Sequence, residues 1–449
     1  MKKRPLLLFI LILGLDILII LFFSLFPYET AFPQGIPTPF EISDLRLHPM
    51  RDGTLEILEY IGNAKEIVLP AEINGKRVSR IGSKAFLKCG NLTSITLPDG
   101  VTSIGCRAFE NCRKLTDVVI PDSLTVLEES AFYDCASLTS IRIPNSVTSL
   151  DANPFTGCNQ LDVILSPDHP TLSFSGGALL SRDGTRLIAY TRSHINPSFT
   201  VPETVTVIGN RALAFTELTD ITIPETVSII EKYAFKWCNE LTSITIPDSV
   251  VSLGEGAFSG SQHLSSITLS RSLTSIEIYT FEKCYALSSI IIPEGVTSIG
   301  YWAFHWCGSL DSVVIPDSVN TIEGHAFEMS GLTSVTLPYG LTSIGRDTFY
   351  NCKNLVSVTI PETVLNIGSG AFGNCPLLTD IVIPDSITRI ESYAFSRCPS
   401  LSALVIPESV TEIGDNAFSG CESLIITVTG NSFAETYCRK NNLKYVLSD

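Results

Sequence analysis

The hydrophobic positions of this chain recur in one phrase, which reads most cleanly between Leu241 and Phe258. Leucine and isoleucine alternate there with threonine or serine as far as a proline; a second apolar segment ending in glycine follows, and an Ala-Phe pair closes the phrase. The interval is 23 residues, with one step of 22 after Phe327, and Leu213 takes the place of the phenylalanine in one coil. The closing phenylalanine occurs at Phe86, Phe109, Phe132, Phe155, Phe235, Phe258, Phe281, Phe304, Phe327, Phe349, Phe372, Phe395 and Phe418.

A fixed period of this length is typical of a solenoid, in which each coil packs on its neighbours. In each coil the alternating segment predicts a short β-strand, which the proline ends. The Val-Thr-Ser-Ile-Gly segment predicts a second strand or extended segment, and the short Ala-Phe-x-x-Cys segment predicts one or two helical turns. The predicted fold is therefore an α/β solenoid, a stack of about fourteen 23-residue coils with a parallel β-sheet, capped at both ends.

The period is broken once, because the 58 residues from Phe155 to Leu213 amount to one coil plus 35 residues. Asp183-Gly184 lies there between two apolar runs, which predicts a β-hairpin, packed as a pseudo-coil or projecting from one face. The sequence divides into a transmembrane signal anchor (1–26), a proline-rich linker (27–42), an N-terminal cap (43–80), repeats (81–167), the hairpin insertion (168–198), repeats (199–430) and a C-terminal cap (431–449). In the last segment, residues 432–441 predict a short helix with Ser432 as its N-cap.

Three basic residues, Lys2 to Arg4, precede an apolar run over residues 6–26 that is long enough to span a bilayer. The positive flank is expected to stay in the cytoplasm, which places the solenoid outside. No small-residue cleavage site follows the run, which favours an uncleaved anchor, and the alternative is a cleaved signal peptide and a secreted protein. Asp16 within the run could pair with another membrane helix.

Composition narrows the classes of partner. The chain has 449 residues, 17% of them charged, and a formal net charge of −16. An acidic protein repels phosphate backbones, so nucleic acid is not expected as a partner.

Eleven of the thirteen cysteines lie three residues after the repeat phenylalanine, and Ser261 and Ser330 take that place in two other coils. A small, weakly polar residue at a fixed position in every coil indicates a column of buried free thiols. Disulfides or a metal site are the alternatives, but no Cys-x-x-Cys pair supports zinc.

With these residues in view, the phrase resembles the BspA-like, or Treponema-type, leucine-rich repeats over essentially residues 43–449. The resemblance includes the cap segment Asp52–Ile57, the Asp183-Gly184 insertion and the helix at residues 432–441. It implies a bacterial or protist surface protein, and some relatives of this kind act as adhesins for host matrix proteins or other cells. The family has no common catalytic residues, so the resemblance implies no enzyme and no cofactor.

The residues themselves point the same way. The six histidines form no metal-ligand spacing, and no nucleophile or phosphate-loop motif is present. A carboxylate follows the proline in most coils, which suits a turn and water better than calcium. The outward residues of the predicted strands are mostly β-branched, which strand propensity alone explains.

Aromatic residues cluster in the coils from residue 233 to 325, and all three tryptophans of the chain lie there. Such a cluster can mark a recognition surface for proteins or sugars, although a structural ladder covering the turns is the alternative. The predicted ligand-binding residues are Tyr233, Trp237, Tyr279, Tyr301, Trp302, His305, Trp306 and His325. The predicted function is protein–protein binding or adhesion at the cell surface without catalysis, metal or cofactor. The alternatives are carbohydrate binding and a structural role in the envelope or in a membrane complex.

Overall fold

The computed structural model describes residues 38–150 and 152–448. The predicted anchor at residues 1–26 and the linker up to residue 37 lie outside the described residues. Within the described part of the chain, no helix is long and apolar enough to cross a membrane. What the structure describes is a β-solenoid in which the two strand segments of each phrase build two separate ladders.

The first ladder contains the strand that precedes the proline of each coil, and its neighbouring strands pair in parallel and in register. In most of the three-residue strands the middle residue is buried and its two neighbours face out. Its strands are Glu66–Val68, Ser94–Thr96, Asp117–Val119, Ser140–Arg142, Asp162–Ile164, Ser198–Thr200, Asp220–Thr222, Ser243–Thr245, Ser266–Thr268, Ser289–Ile291, Ser312–Val314, Ser334–Thr336, Ser357–Thr359, Asp380–Ile381, Ala403–Ile406, Ile425–Val428 and Tyr445–Leu447.

The second ladder contains the strand that follows the proline turn, and its strands also pair in parallel. At its N-terminal end the hairpin of Leu45–Pro49 and Leu55–Tyr60 caps it, with Glu72–Ile73 at the side. Its strands are Lys76–Ile81, Ser103–Ile104, Val126–Leu127, Val207–Ile208, Ile229–Ile230, Ser252–Leu253, Ser275–Ile276, Ser298–Ile299, Thr321–Ile322, Ser343–Ile344, Asn366–Ile367, Arg389–Ile390 and Glu412–Ile413.

The described residues thus contain seventeen first-ladder strands, whereas the phrase predicts about fourteen coils. Three of these strands, Asp162–Ile164, Ile425–Val428 and Tyr445–Leu447, belong to coils that have neither the phrase's phenylalanine nor the leucine that replaces it at Leu213. A count of phenylalanines therefore misses the coil at the insertion and the two at the C-terminal end, although the solenoid itself is as predicted.

The Ala-Phe-x-x-Cys segments form consecutive turns instead of the predicted helical turns. The residues two before and two after the phenylalanine adopt positive φ in most coils, as in Tyr233 (φ 57°) and Trp237 (φ 58°), and this interrupts a helix. The described residues contain one α-helix, Phe433–Lys440, and one short 3-10 helix, Ile42–Asp44. Ser432 caps the α-helix as predicted, because its side chain accepts a hydrogen bond from the Glu435 N–H.

The repeat phenylalanines form a continuous stack through the core on each side of the insertion. Neighbouring ring centroids lie 4.8–5.9 Å apart, and the rings are almost parallel in most pairs. The cysteine three residues later donates its S–H to the carbonyl of the phenylalanine in the preceding coil, at 3.0–3.2 Å. Each thiol thus ties two coils together.

The thirteen cysteines are all free, and ten of the eleven at the repeat position are buried, which confirms the predicted thiol column. Ser261 shows what the position requires, because its hydroxyl donates to the Phe235 carbonyl at 2.8 Å in the same way. Burial raises the pKa of the Cys238 and Cys352 thiols to about 12, so these thiols are not nucleophiles at neutral pH.

Residues 168–198 contain three antiparallel strands, where the sequence predicts a hairpin of two. They are Leu172–Ser175, Ala178–Ser181 and Arg186–Tyr190, and the Asp183-Gly184 turn joins the last two. Arg186–Tyr190 pairs in parallel with Val207–Ile208, so the insertion packs inside the second ladder and does not project. Its two faces are buried against different cores: Leu179 and Ile188 pack with the coils before it, Leu180 and Leu187 with those after it.

On the turn side the insertion adds no coil, and the flanking coils meet directly. The Asn153 N–H donates to the Asn210 carbonyl at 3.2 Å, and the Asn159 side chain donates to the Phe215 carbonyl at 2.9 Å. Glu129 forms an ion pair with Arg211 across the same junction. We call this junction, residues 126–159 against residues 210–232, the seam.

Candidate functional site

The structure places the predicted aromatic residues in two columns along the turns. Tyr233, Tyr279, Trp302 and His325 stand two residues before the repeat phenylalanine, and the left-handed backbone there directs each side chain over the next coil. Gly256 shows the direction, because a Cβ on this glycine would lie 2.4 Å from the Tyr233 ring. The glycine therefore leaves room for that ring.

The central part of this first column is a continuous stack. Tyr279 and Trp302 have ring centroids 5.4 Å apart with 4° between their planes, and His325 stacks on Trp302 at 5.0 Å. Tyr301 packs beside Trp302 and is the most exposed of the set, at 41%. Because the ring faces cover one another, they are not open platforms for a sugar ring.

Tyr233 lies apart from that stack, since Gly256 separates it from Tyr279. The Arg211 guanidinium lies 4.7 Å and the Lys236 ammonium 4.6 Å from its ring centroid, within cation–π range. Its hydroxyl donates to Glu255 at 2.5 Å, and burial together with this carboxylate raises the pKa of Tyr233 to about 12. Tyr233 therefore holds the charged side chains of Arg211, Lys236 and Glu255 beside the turns.

Trp237 and Trp306 stand in a second column, two residues after the phenylalanine. Trp237 stacks on Phe215 at 6.2 Å, and a Cβ on Gly260 would meet its indole at 2.6 Å. Trp306, three coils further on, packs near Tyr285. The structure therefore does not bring the two tryptophans together, and ligand contact by the predicted residues stays a prediction.

His305 and His325 belong to a line of alternating acids and imidazoles. His305 lies 4.0 Å from Glu282 and 3.8 Å from Glu328, while His325 Nδ1 lies 2.8 Å from Glu328. Burial lowers the pKa of His305 to about 4 despite these carboxylates, so its imidazole is neutral at pH 7. In the part of the chain that the structure describes, no group of His, Cys, Asp and Glu could hold a metal ion.

The outward face of the first ladder is a second candidate surface. Ile291 and Val314 are register partners on neighbouring strands and are 72% and 58% exposed. The six strands from Ser243–Thr245 to Ser357–Thr359 present only serine, threonine, isoleucine and valine outward. In the sequence, β-strand propensity alone accounts for these outward residues. The structure shows that together they form an uncharged, flat patch on a protein of net charge −16.

The seam opens into a cleft of about 810 Å³, which sequence reasoning did not foresee. In the sequence, only the insertion indicated that the stack is interrupted here, because the residues that meet at the seam are far apart in the chain. Three buried side-chain polar atoms lack a hydrogen-bond partner among the described residues, in Thr171, Arg192 and Asn210, and all belong to the insertion or the coil after it. The lining residues are Cys106, Val126, Leu127, Glu128, Glu129, Ser149, Ala152, Arg186, Asn210, Ile229, Ile230, Glu231, Lys232, Ser252 and Gly254.

A family model described as BspA type leucine rich repeat region matches the chain in six copies, over residues 76–176, 206–332 and 321–442. The chain belongs to the BspA-type leucine-rich repeat family. This agrees with the resemblance of the phrase and with the two ladders of the structure. No curated protein matches the chain.

Several solved structures of bacterial leucine-rich repeat proteins are similar to the chain. A leucine rich cell surface protein from Faecalibacterium prausnitzii A2-165 shares 29% identity over 90% of this chain and 97% of its own, with a TM-score of 0.46. A leucine-rich repeat protein from Eubacterium ventriosum ATCC 27560 shares 22% identity over 79% and 92%, also with a TM-score of 0.46. One from Bacteroides ovatus ATCC 8483 shares 22% identity over 92% and 100%, with a TM-score of 0.39.

Proposed function

We propose that this BspA-type protein binds another protein through the outward face of its first ladder, as an adhesion or recognition module outside the cell membrane. The observation that carries the proposal is the uncharged patch around Ile291 and Val314. Their neighbours Thr268 and Thr336 continue the row, so methyl groups form a ridge across four coils. Exposed apolar side chains in a flat, charge-free setting are costly to leave in water and favour a protein partner.

The aromatic columns support binding less directly. Their rings are half-buried and stacked on one another, so most of their apolar area already stabilises the turns. Tyr301 offers an edge to a partner, while the faces of Tyr279 and Trp302 are occupied. The Trp302→Ala, Trp306→Ala double variant tests their part in binding.

The location outside the membrane rests on the sequence. Basic residues precede the apolar run at residues 6–26, and this order directs the following domain outward. Protease treatment of intact cells measures it: the solenoid should be cleaved from outside, and a protected solenoid would contradict the location.

The binding face is tested with the Ile291→Asp, Val314→Asp double variant of the full chain. Two carboxylates in the ridge should weaken capture of an extracellular matrix protein from a purified panel by at least about tenfold, because an apolar contact would become an unpaired charge. Val251→Asp is the matched control, since Val251 is also exposed but lies beside the second ladder. Unchanged binding by the double variant would rule this face out.

A further inference from the structure

Two ion pairs neutralise most of the charge on the walls of the seam cleft. Arg186 donates to both carboxylate oxygens of Glu231, at 2.8 and 2.5 Å, and Glu129 pairs with Arg211. Glu128 accepts the N–H of Cys106 at 2.8 Å. The two lining charges outside these ion pairs, on Glu128 and Lys232, have opposite signs, so the cleft carries little net charge and suits a neutral ligand better than an anion or a cation.

The wall of the cleft contains one buried acceptor that no donor reaches. Asn210 Oδ1 is buried without a partner, although the Asn210 N–H donates to Glu231 at 2.9 Å and its side-chain nitrogen lies 3.5 Å from Glu129. An unpaired buried acceptor costs about 1–3 kcal/mol, which marks the seam as a place where the stacked coils do not match. The Lys232 ammonium, which has no ion-pair partner among the described residues, supplies a donor at the same cleft.

Apolar side chains lie beside these polar groups. Val126 and Ile229 line the cleft and are 44% and 37% exposed, and the hydroxyl-bearing residues Ser149 and Ser252 are at its edge. A ligand that fits must therefore present C–H surface and hydroxyl groups together. Its volume of about 810 Å³ is within the range of small-ligand sites, roughly 300–1,000 Å³.

From this combination we propose that the seam cleft binds a short neutral oligosaccharide. Its hydroxyls donate to the free lone pairs of the glutamates that line the cleft, and they accept from Lys232. Its C–H faces pack against Val126 and Ile229. The site is distinct from the protein-binding face of the first ladder, since none of that face's outward residues lines the cleft.

The proposal is tested with a variant in which a large side chain at an exposed position fills the cleft. Ser252→Trp places an indole at the cleft, whereas Ser343→Trp makes the same change at the first residue of a second-ladder strand four coils away. Calorimetric titration of the full chain with maltotriose, cellotriose, chitotriose and mannotriose should find one that binds. Its Kd should rise by at least about tenfold in Ser252→Trp and stay unchanged in Ser343→Trp.

Lys232→Ala is a second variant, at an exposed side chain whose removal leaves the core intact, and it should weaken the same interaction. Thermal melting of each variant checks that the solenoid remains folded. The proposal is overturned if the wild-type chain binds none of the neutral sugars, or if it prefers sialylated or sulfated glycans or short peptides. Undiminished sugar binding in Ser252→Trp would also overturn it, whatever happens to protein binding at the first ladder.

Discussion

The regular coils from residue 243 to residue 359 and the seam are built from the same phrase, yet they satisfy their polar groups differently. In the regular coils the three thiols and the Ser261 hydroxyl reach back one coil to a phenylalanine carbonyl, as Cys307 does to Phe281 at 3.1 Å. At the seam the same position is Thr216, and its hydroxyl bonds to the Leu213 carbonyl of its own coil at 2.7 Å. The preceding coil on the turn side is the one that ends at Phe155, on the far side of the insertion, and it does not match, so regular stacking no longer supplies the partners.

This difference explains where ligand chemistry can arise. A regular coil has its polar groups met by identical neighbours, and only its outward face is free to vary. At the seam, Glu129, Asn210 and Arg211 come from coils that do not match, which leaves a cleft and an unpaired acceptor. The regular region therefore offers a flat surface, and the interruption offers a cavity.

The largest expected effect on stability is the loss of one ring from the phenylalanine stack of the regular coils. Phe304→Ala removes a fully buried ring that stacks on Phe281 and Phe327 at 5.3 and 5.1 Å. We expect it to lower the free energy of unfolding by about 3–5 kcal/mol, measured by urea titration with circular dichroism. Phe433→Ala, at a half-exposed position of the C-terminal helix, is the control and should change it little. A cost below about 1 kcal/mol for Phe304→Ala would contradict a stack that holds the coils together.

The sequence predicted the regular region well, because every coil repeats the same local information. The 23-residue interval predicted the strand segments of both ladders and the thiol column, and the stacking of the repeat phenylalanines is a finding of the structure. The turns were misjudged as helical, although the positions two before and two after the phenylalanine are glycine at Gly256 and Gly260, which favour positive φ. These glycines were the missed signal.

The seam could not be predicted in the same way. Glu129 and Arg211 are 82 residues apart, and their contact depends on how the insertion is accommodated. The Asp183-Gly184 turn identified strands in the insertion, but nothing local showed that Arg186–Tyr190 joins the second ladder. Long-range packing of unlike coils decides the geometry of the cleft.

A change of pH sharpens the comparison, because the regular region holds a buried imidazole where the seam uses arginine–carboxylate pairs. The pKa of His305 is lowered from 6.5 to about 4, chiefly by burial. Its contribution to stability is therefore complete above about pH 6.5 and is lost as the pH falls toward 4, by at most about 3 kcal/mol. His305→Gln should show a smaller loss in this window by urea titration, and His263→Gln, at an exposed site, should follow the wild type. Equal losses in all three proteins would exclude a buried neutral His305.

The smallest expected effect on stability is at the thiol column, whose hydrogen bonds differ between the regular coils and the seam. Cys307→Ser keeps a donor for the Phe281 carbonyl, as Ser261 already does for Phe235, so we expect a cost of about 1 kcal/mol or less. Cys307→Leu adds bulk to a fully packed position and should cost about 1–3 kcal/mol. Thermal unfolding of both variants measures the difference. If serine proved as costly as leucine, the hydrogen bond would not be what the position selects, and the contrast with Thr216 at the seam would reflect side-chain volume instead of the mismatch between the flanking coils.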